Sequence, residues 1–312
     1  MKQGKIVVVM GGPSSEAEVS RRTGAAIVNA LESKGYAVEG MELDPPHFAE
    51  AIRKSDCAIV FNALHGRYGE DGVLQGTLDM LGIPYTGSGV LAAAVTMDKV
   101  MSKRVFLGAG ISTPRSETFH RFEFDAELPS RIRKAFSLPV VIKASSQGSS
   151  IGVAIVEKEE ELEAALKDAF RYDEEVLVEE FIRGKELTVA VWGDAREAQA
   201  FPVIEITTVS GRYDYASKYT KGASTHIIPA RIPLDVTERV QQLAVDAFRA
   251  CGCRGVARAD MMLGEDMTPY VIEINSMPGM TETSLVPDAG RAMGVEFPEL
   301  CERILAMAGY EK

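Results

Sequence analysis

Apolar and polar residues along this chain fall into blocks whose period changes, and the changes mark its elements. Residues 5–10 (KIVVVM) are almost continuously apolar, as a strand buried on both faces of a parallel sheet must be. Gly11-Gly12-Pro13 breaks the run, and a helical pattern then covers 17–34. Ser15 and Glu18 have the spacing of a capping box at its start, and Gly35 closes it. A strand over 37–43, a helix over 48–54 and a strand over 57–62 follow. Strands alternating with helices predict a parallel α/β unit, whose ligands sit beyond the carboxyl ends of the strands. Two loops fall there, 11–16 and 64–72, and the unit is expected to end near Gly87-Ser88-Gly89.

Beyond it the pattern predicts a helix over 90–107, stopped by Gly108-Ala109-Gly110 before Pro114. A strand over 139–143 runs into the Gly/Ser-rich stretch 144–153. An amphipathic helix over 159–170 and a strand over 175–181, ending at a turn with Gly184, complete a smaller α+β unit. The remainder has strands over 186–192 and 200–207, a long polar segment, a helix over 235–251, a hairpin, and a final helix over 297–308 packed on the outside. The expected organisation is therefore three domains, 1–88, 89–183 and 184–312, since 312 residues exceed one typical core.

The hairpin, 256–280, carries the sharpest pattern. A polar turn at 264–269 joins two strands. Symmetric pairing about it sets Leu263 against Tyr270, Asp260 against Glu273, and Arg258 against Asn275. Side chains alternate faces, so Arg258, Asp260, Glu273 and Asn275 share one face, and Ala259, Met261, Ile272 and Ile274 share the apolar other. Two carboxylates directly opposed repel. A hard divalent cation held by oxygen ligands is the economical compensation; a solvated face of an edge hairpin is the alternative.

Composition changes this picture mainly by exclusion. The net charge of −11 argues against a nucleic-acid or anionic-membrane partner, so any phosphate recognition must be local. Cys57, Cys251, Cys253 and Cys301 lack metal-ligand or redox spacing and are expected as reduced thiols. The apolar run at 6–10 is too short for a signal segment, and no run approaches a membrane span. The expected location is the cytoplasm. The four histidines do not cluster as a zinc site would require, and no G-x-S-x-G elbow is present.

Two loops suit an anionic ligand. Lys143 ends a strand and opens a loop to Gly152 whose amides and hydroxyls suit phosphate oxygens, although an ordinary hairpin turn is the competing reading. It is not a P-loop, because no G-x-x-x-x-G-K-[ST] occurs. The polar segment at about 209–231, with Tyr213, Tyr215, Lys218, Tyr219, Lys221 and His226, is either a closing lid or simply an exposed loop. Gly87-Ser88-Gly89-Val90-Leu91-Ala92 matches the dinucleotide fingerprint, but the acid expected about twenty residues later is missing, so the match is chance.

Together these motifs resemble the D-alanine–D-alanine ligases, ATP-grasp enzymes that make the dipeptide of bacterial cell-wall precursors. The resemblance spans nearly the whole chain: GGPSSEAEVS (11–20), LHGRYGEDGVLQG (64–76), PYTGSGVLAAAVTMDK (84–99), VIKASSQGSSIGV, EEVLVEEFIRGKELTVAV, YDYASKY and EINSMPGMTETSLVP. It implies an ATP-grasp fold behind an N-terminal Rossmann-like sheet. ATP would lie between the second and third domains, with Lys99 and Lys143 on its phosphates. Glu179 and the backbone of Phe181 and Ile182 would hold the adenine, and Glu186 the ribose. Asp260, Glu273 and Asn275 would hold two magnesium (or manganese) ions.

The resemblance also implies the substrate contacts. Glu16 would bind the ammonium of the first D-alanine, in a hydrogen-bonded set with Ser149 and Tyr219, and His65 would lie beside it. Lys218 would reach the γ-phosphate or the substrate carboxylate. Ser284 and the backbone at Leu285 would take the carboxylate of the second D-alanine, and Arg258 with the amide of Gly279 would form an oxyanion hole. Tyr219 matches the ligases that make D-Ala–D-Ala, whereas D-lactate-using relatives differ there. Glu180 stands where some relatives carry a lysine. A homodimer is implied on family grounds alone. An ATP-grasp ligase with another acceptor, such as D-lactate, is the nearest alternative; a nucleotide-binding regulator is a more distant one.

Overall fold

The computed structural model describes residues 4–148, 151–208, 223–281 and 284–310. Ser149, Lys218, Tyr219 and most of the expected lid lie outside them.

The first unit is a three-stranded parallel sheet of β1 (Lys5–Met10), β2 (Val38–Glu42) and β3 (Cys57–Asn62) in the order β2-β1-β3. Val7 and Val9 of the central strand face Leu43, Phe48, Ile52 and Val60, while Ile6 and Val8 face Ile27, Ala30 and Leu31. Both faces of β1 are covered, which is why its sequence shows no alternation. Helices α1 (Ala17–Ser33), α2 (Phe48–Lys54) and α3 (Val73–Leu81) flank the sheet. The capping box expected from Ser15 and Glu18 does not form. Glu16 occupies the cap position of α1 without a side-chain cap bond, and Ser14 Oγ accepts the Glu16 N–H instead. Gly35 does end the helix, at φ 82°.

The helix expected over 90–107 is two, α4 (Val90–Met97) and α5 (Lys99–Gly108). Asp98 between them is extended, and its carboxylate accepts the Met101 N–H as an N-cap. The Lys99 N–H, freed from the first helix, donates to Ser145 O. A capping aspartate thus competes successfully with helix continuation.

A second sheet, entirely antiparallel, has the order β4-β7-β5-β6, from β4 (Ser116–His120), β5 (Val140–Ala144), β6 (Val153–Val156) and β7 (Glu175–Glu180). Helices α6 (Leu128–Ala135) and α7 (Leu162–Ala169) cover it. The sequence pattern assigns neither β4 nor α6.

The third sheet runs β11-β10-β8-β12-β13, with β9 (Gln199–Ala200) beside β8 (Gly184–Gly193). Its other strands are β10 (Ile204–Thr208), β11 (Ser224–Ile227), β12 (Gly255–Gly264) and β13 (Pro269–Asn275). One face carries Leu187, Val189, Ala257, Ala259 and Met261 onto α8 (Leu234–Ala250), joined by Ala92 and Phe106 of α4 and α5. Helices α9 (Leu285–Ala292) and α10 (Phe297–Ala306) follow the hairpin, and α10 packs on α1. They close one continuous apolar cluster with β1, Ala190 and Ile204. No helix among the described residues is long and apolar enough to cross a membrane.

The hairpin pairs Arg258 with Asn275 and Asp260 with Glu273. Leu263, however, faces Pro269, and Tyr270 faces Met262. The ladder shifts by one residue at Ile272, which is left unpaired in a bulge. Val271 therefore takes the core position expected of Ile272 and is fully buried, whereas Ile272 is only half-buried. The bulge reconciles a tight turn with an apolar face on both strands.

Candidate active site

Strand β8 lies against β12 so that Glu186, Thr188 and Ala190 oppose Met262, Asp260 and Arg258. Opposed residues share a face, so Glu186 and Thr188 join the row formed by Arg258, Asp260, Glu273 and Asn275. Asp260 is held by three hydrogen bonds from two residues: Thr188 Oγ1 donates at 2.7 Å, and Arg258 grips the carboxylate through Nε at 2.8 Å and Nη2 at 2.7 Å. Glu273 is approached by Lys99 Nζ at 3.6 Å, and that ammonium also donates to Gln147 O at 2.6 Å. Asn275 Oδ1 accepts the Met277 N–H.

Among the described residues no group of three or more acid, histidine or cysteine side chains forms a metal cage. The all-oxygen set of two carboxylates and one carboxamide nevertheless fits magnesium, which takes one or two protein carboxylates and completes its shell with phosphate and water. The repulsion between Asp260 and Glu273 is met here by Arg258 and Lys99.

Across the cleft, Lys143 at the end of β5 is buried, and its Nζ lies 2.5 Å from Glu179 Oε2. Lys103, which the sequence reading leaves aside, lies 2.7 Å from Glu179 Oε1. Burial pushes Glu179 up, but Lys143 and Lys103 more than offset it and hold the carboxyl below its ordinary range. Burial also pulls Lys103 down to about 8. Glu179 Oε1 is buried with the Lys103 ammonium against it, and because a carboxylate oxygen keeps a second lone pair, an N–H donor such as an adenine amine fits it. Phe181 and Ile182, just past β7, line a cleft of about 550 Å³ with Arg115, Leu138, Glu180 and Tyr270.

The loop after Lys143 is tied down at its root. Ser145 Oγ donates to Asp98, and Ser146 donates through both N and Oγ to Asp173 at 2.9 and 2.5 Å. Asp173 gives no signal in the sequence, since its partners are distant in the chain.

At the carboxyl end of the first sheet, Ser14 Oγ stitches the loop at 11–16 to that at 64–72 by donating to His65 O, and Ser20 Oγ of α1 donates just ahead of the second loop, to Ala63 O. Glu16 reaches both this seam and the Gly/Ser loop: a Cβ on Gly66 or Gly148 would come within 2.9 Å of its Oε2. His65 is buried against Thr23 Oγ1 at 3.1 Å. Burial, aided by the charge of Arg258, lowers it to about 4, so the imidazole is neutral. Glu70 is the acid missed from sequence. It accepts the Gly66 N–H, and burial beside the charge of Glu16 pushes it up to about 8. An acid inside a glycine-rich loop at a strand's carboxyl end was the available signal.

Ser284 precedes α9, and its Oγ accepts the Thr281 N–H at 3.0 Å. A Cβ on Gly279 would stand 3.1 Å from that Oγ, so Gly279 and Ser284 adjoin. Leu285 opens the helix, where an amide has no partner within it. The structure thus brings Glu16, Arg258 and Glu273 into one electrostatic neighbourhood with His65 and Glu70, and Asp260 joins it through its bonds to Arg258. Lys99, Lys143, Glu179 and Glu186 border it.

Comparison with known proteins shows the family to which the chain belongs. A family model described as the D-ala D-ala ligase N-terminus matches residues 37–88, and one described as the D-ala D-ala ligase C-terminus matches 105–306. The D-alanine–D-alanine ligase of Desulforudis audaxviator is 49% identical over 305 residues, 97% of this chain and 98% of that protein. That of Moorella thermoacetica is 48% identical over 97% of this chain and 99% of its own length. The crystal structure of the Bacillus anthracis ligase complexed with ATP has a TM-score of 0.83 at 33% identity, covering 97% of both chains. The VanG D-Ala:D-Ser ligase of Enterococcus faecalis has 0.82 at 31%, over 97% and 98%. These likenesses bear out the ATP-grasp fold expected from the sequence. The chain belongs to the D-alanine–D-alanine ligase family of ATP-grasp enzymes.

Proposed function

We propose that this chain joins two molecules of D-alanine into D-alanyl-D-alanine, releasing ADP and phosphate, for peptidoglycan precursor synthesis. The observation that carries this reading is the row Arg258, Asp260, Glu273 and Asn275 on one sheet face, set opposite the buried Lys143–Glu179 pair. A carboxylate is a poor electrophile and must be activated before an amine can displace its oxygen. Here the γ-phosphoryl group of ATP passes to the first D-alanine, and the second amine attacks the acyl phosphate.

Lys99 and Lys143 carry positive charge to the phosphates, Glu179 and the backbone at Phe181 and Ile182 hold the base, and Glu186 holds the ribose. Asp260, Glu273 and Asn275 hold two magnesium or manganese ions, which when bound neutralise charge spread over the transferred phosphoryl group. Glu16 takes the first ammonium, with neutral His65 beside it. Ser284 and the Leu285 amide take the second carboxylate. Arg258 and the Gly279 amide meet the developing oxyanion, the role in which preorganised donors contribute most. Ser149, Lys218 and Tyr219 complete the set on the resemblance alone. We also assign three domains, 1–88, 89–183 and 184–312, a homodimeric state and a cytoplasmic location; the three separate sheets support the first of these.

The test is ADP release with ATP, magnesium and D-alanine, run against L-alanine, with products identified. D-Alanyl-D-alanine as the product is expected. Background turnover with D-alanine would overturn the reading, and a depsipeptide or D-Ala–D-Ser dominating when D-lactate or D-serine is added would move it to another acceptor.

A further inference from the structure

Lys103 is buried at 3% exposure on α5, and no step above uses it. Its Nζ donates to Thr113 Oγ1 at 2.7 Å and to Pro114 O at 2.9 Å, and lies 2.7 Å from Glu179 Oε1. Three oxygens thus surround one ammonium, which in a buried place is the arrangement a charge requires. Thr113 Oγ1 passes the contact on, donating to Val271 O at 2.7 Å, and the Val271 N–H returns to Ser112 O. The chain of contacts runs from β7 through α5 to β13, the strand that carries Glu273. It spans the two sheets between which the nucleotide is placed.

Glu179 is clasped at its second oxygen by Lys143. With an ammonium against each oxygen it is an acceptor-only carboxylate. Its Oε1 lies 2.7 Å from the Lys103 ammonium, and a carboxylate oxygen with one cation against it keeps a second lone pair, so the acceptor is held in place and can still take an incoming N–H. An acceptor fixed in this way favours a purine presenting an amine at the six position over one presenting a carbonyl. We propose that Lys103 is a positioning residue for nucleotide selection: by anchoring Glu179 Oε1 between the two sheets, it sets the preference for a 6-amino over a 6-oxo purine triphosphate. This rests on the reading of Glu179 as the base contact.

The experiment compares kcat/KM for ATP and for inosine triphosphate in the full chain and three variants, with KM for D-alanine as the control. Lys103→Gln should raise KM for ATP about tenfold, the size expected of one charge-assisted contact, while changing that for inosine triphosphate little. The ATP preference then collapses at unchanged D-alanine KM. Equal losses with both nucleotides would reduce Lys103 to a structural role and overturn the inference. Thr113→Val, which removes one support and keeps the charge, should lower the preference in the same direction even if Lys103→Gln fails to fold; an unchanged ratio there also overturns it. Glu179→Gln separates the two levels, because an amide donates to a 6-carbonyl. A wild-type ratio in Glu179→Gln sinks the base contact itself, whereas a changed ratio there with a wild-type ratio in Lys103→Gln sinks only the role of Lys103.

Discussion

Arg258 grips the carboxylate of Asp260, two positions along the same strand, through two nitrogens at 2.8 and 2.7 Å. Side chains two apart on a strand point the same way, so the pair needs no distant partner to meet. The guanidinium fork matches a carboxylate with two parallel bonds, which orients both groups as well as attracting them. The residues proposed as a metal ligand and as an oxyanion donor are thereby set from one rigid strand.

Asp260→Ala and Glu273→Ala are each expected to abolish turnover while leaving the fold largely intact, since both carboxylates are partly exposed and lie outside the apolar clusters. Steady-state rates and circular dichroism of the two variants decide it. Unchanged activity in both would refute the metal assignment.

Arg258→Ala is expected to cost roughly a hundredfold or more in kcat, the loss typical of one oxyanion donor. Isothermal titration should meanwhile show ATP binding nearly preserved. A loss confined to nucleotide affinity would place Arg258 in orienting Asp260 and remove it from the oxyanion hole.

Two desolvated groups, Glu70 half-buried and His65 buried, give stability a pH dependence of opposite sign. Glu70, raised to about 8 from 4.5, keeps its proton in the folded state while the unfolded chain has lost it, so its contribution is present below 4.5 and disappears as pH rises through about 8. His65, lowered to about 4 from 6.5, contributes above 6.5 and loses that contribution as pH falls through about 4. Thermal melting of Glu70→Gln against the unmutated protein should show a difference growing in the variant's favour across the first window. His65→Gln should flatten the acid side. Parallel curves throughout would contradict both assignments.

Gly184 at the start of β8 admits no side chain, because a Cβ there would sit 1.8 Å from Leu263 O. Gly184→Ala is expected to destabilise by about 2 kcal/mol or more by forcing β8 from β12. Urea unfolding measures it, and a midpoint within error of the unmutated protein would be inconsistent with the β8–β12 register.

Much of this protein follows from local periodicity. The period-two alternation around the turn at 264–269 put Asp260 opposite Glu273 and Arg258 opposite Asn275, and the ladder agrees. The apolar run of β1 and the bounds of α2 and β3 were equally readable, because each element's pattern is written in its own residues. The roles of the site residues came instead from the resemblance, and those roles are still proposals.

What local pattern did not determine is whatever depends on residues far apart in the chain. The break at Asp98 needed Ser145 to receive the Lys99 amide, and the bulge at Ile272 needed an apolar face on the neighbouring strand. Glu70 is an ordinary loop acid until packing removes its water and sets Glu16 nearby. Lys103 and Glu179 are unremarkable on their own elements and form a buried ion pair only when α5 closes on β7. Alternation encodes which way a side chain faces. Desolvation, and the charge a buried group will carry, are settled by whatever the fold places against it.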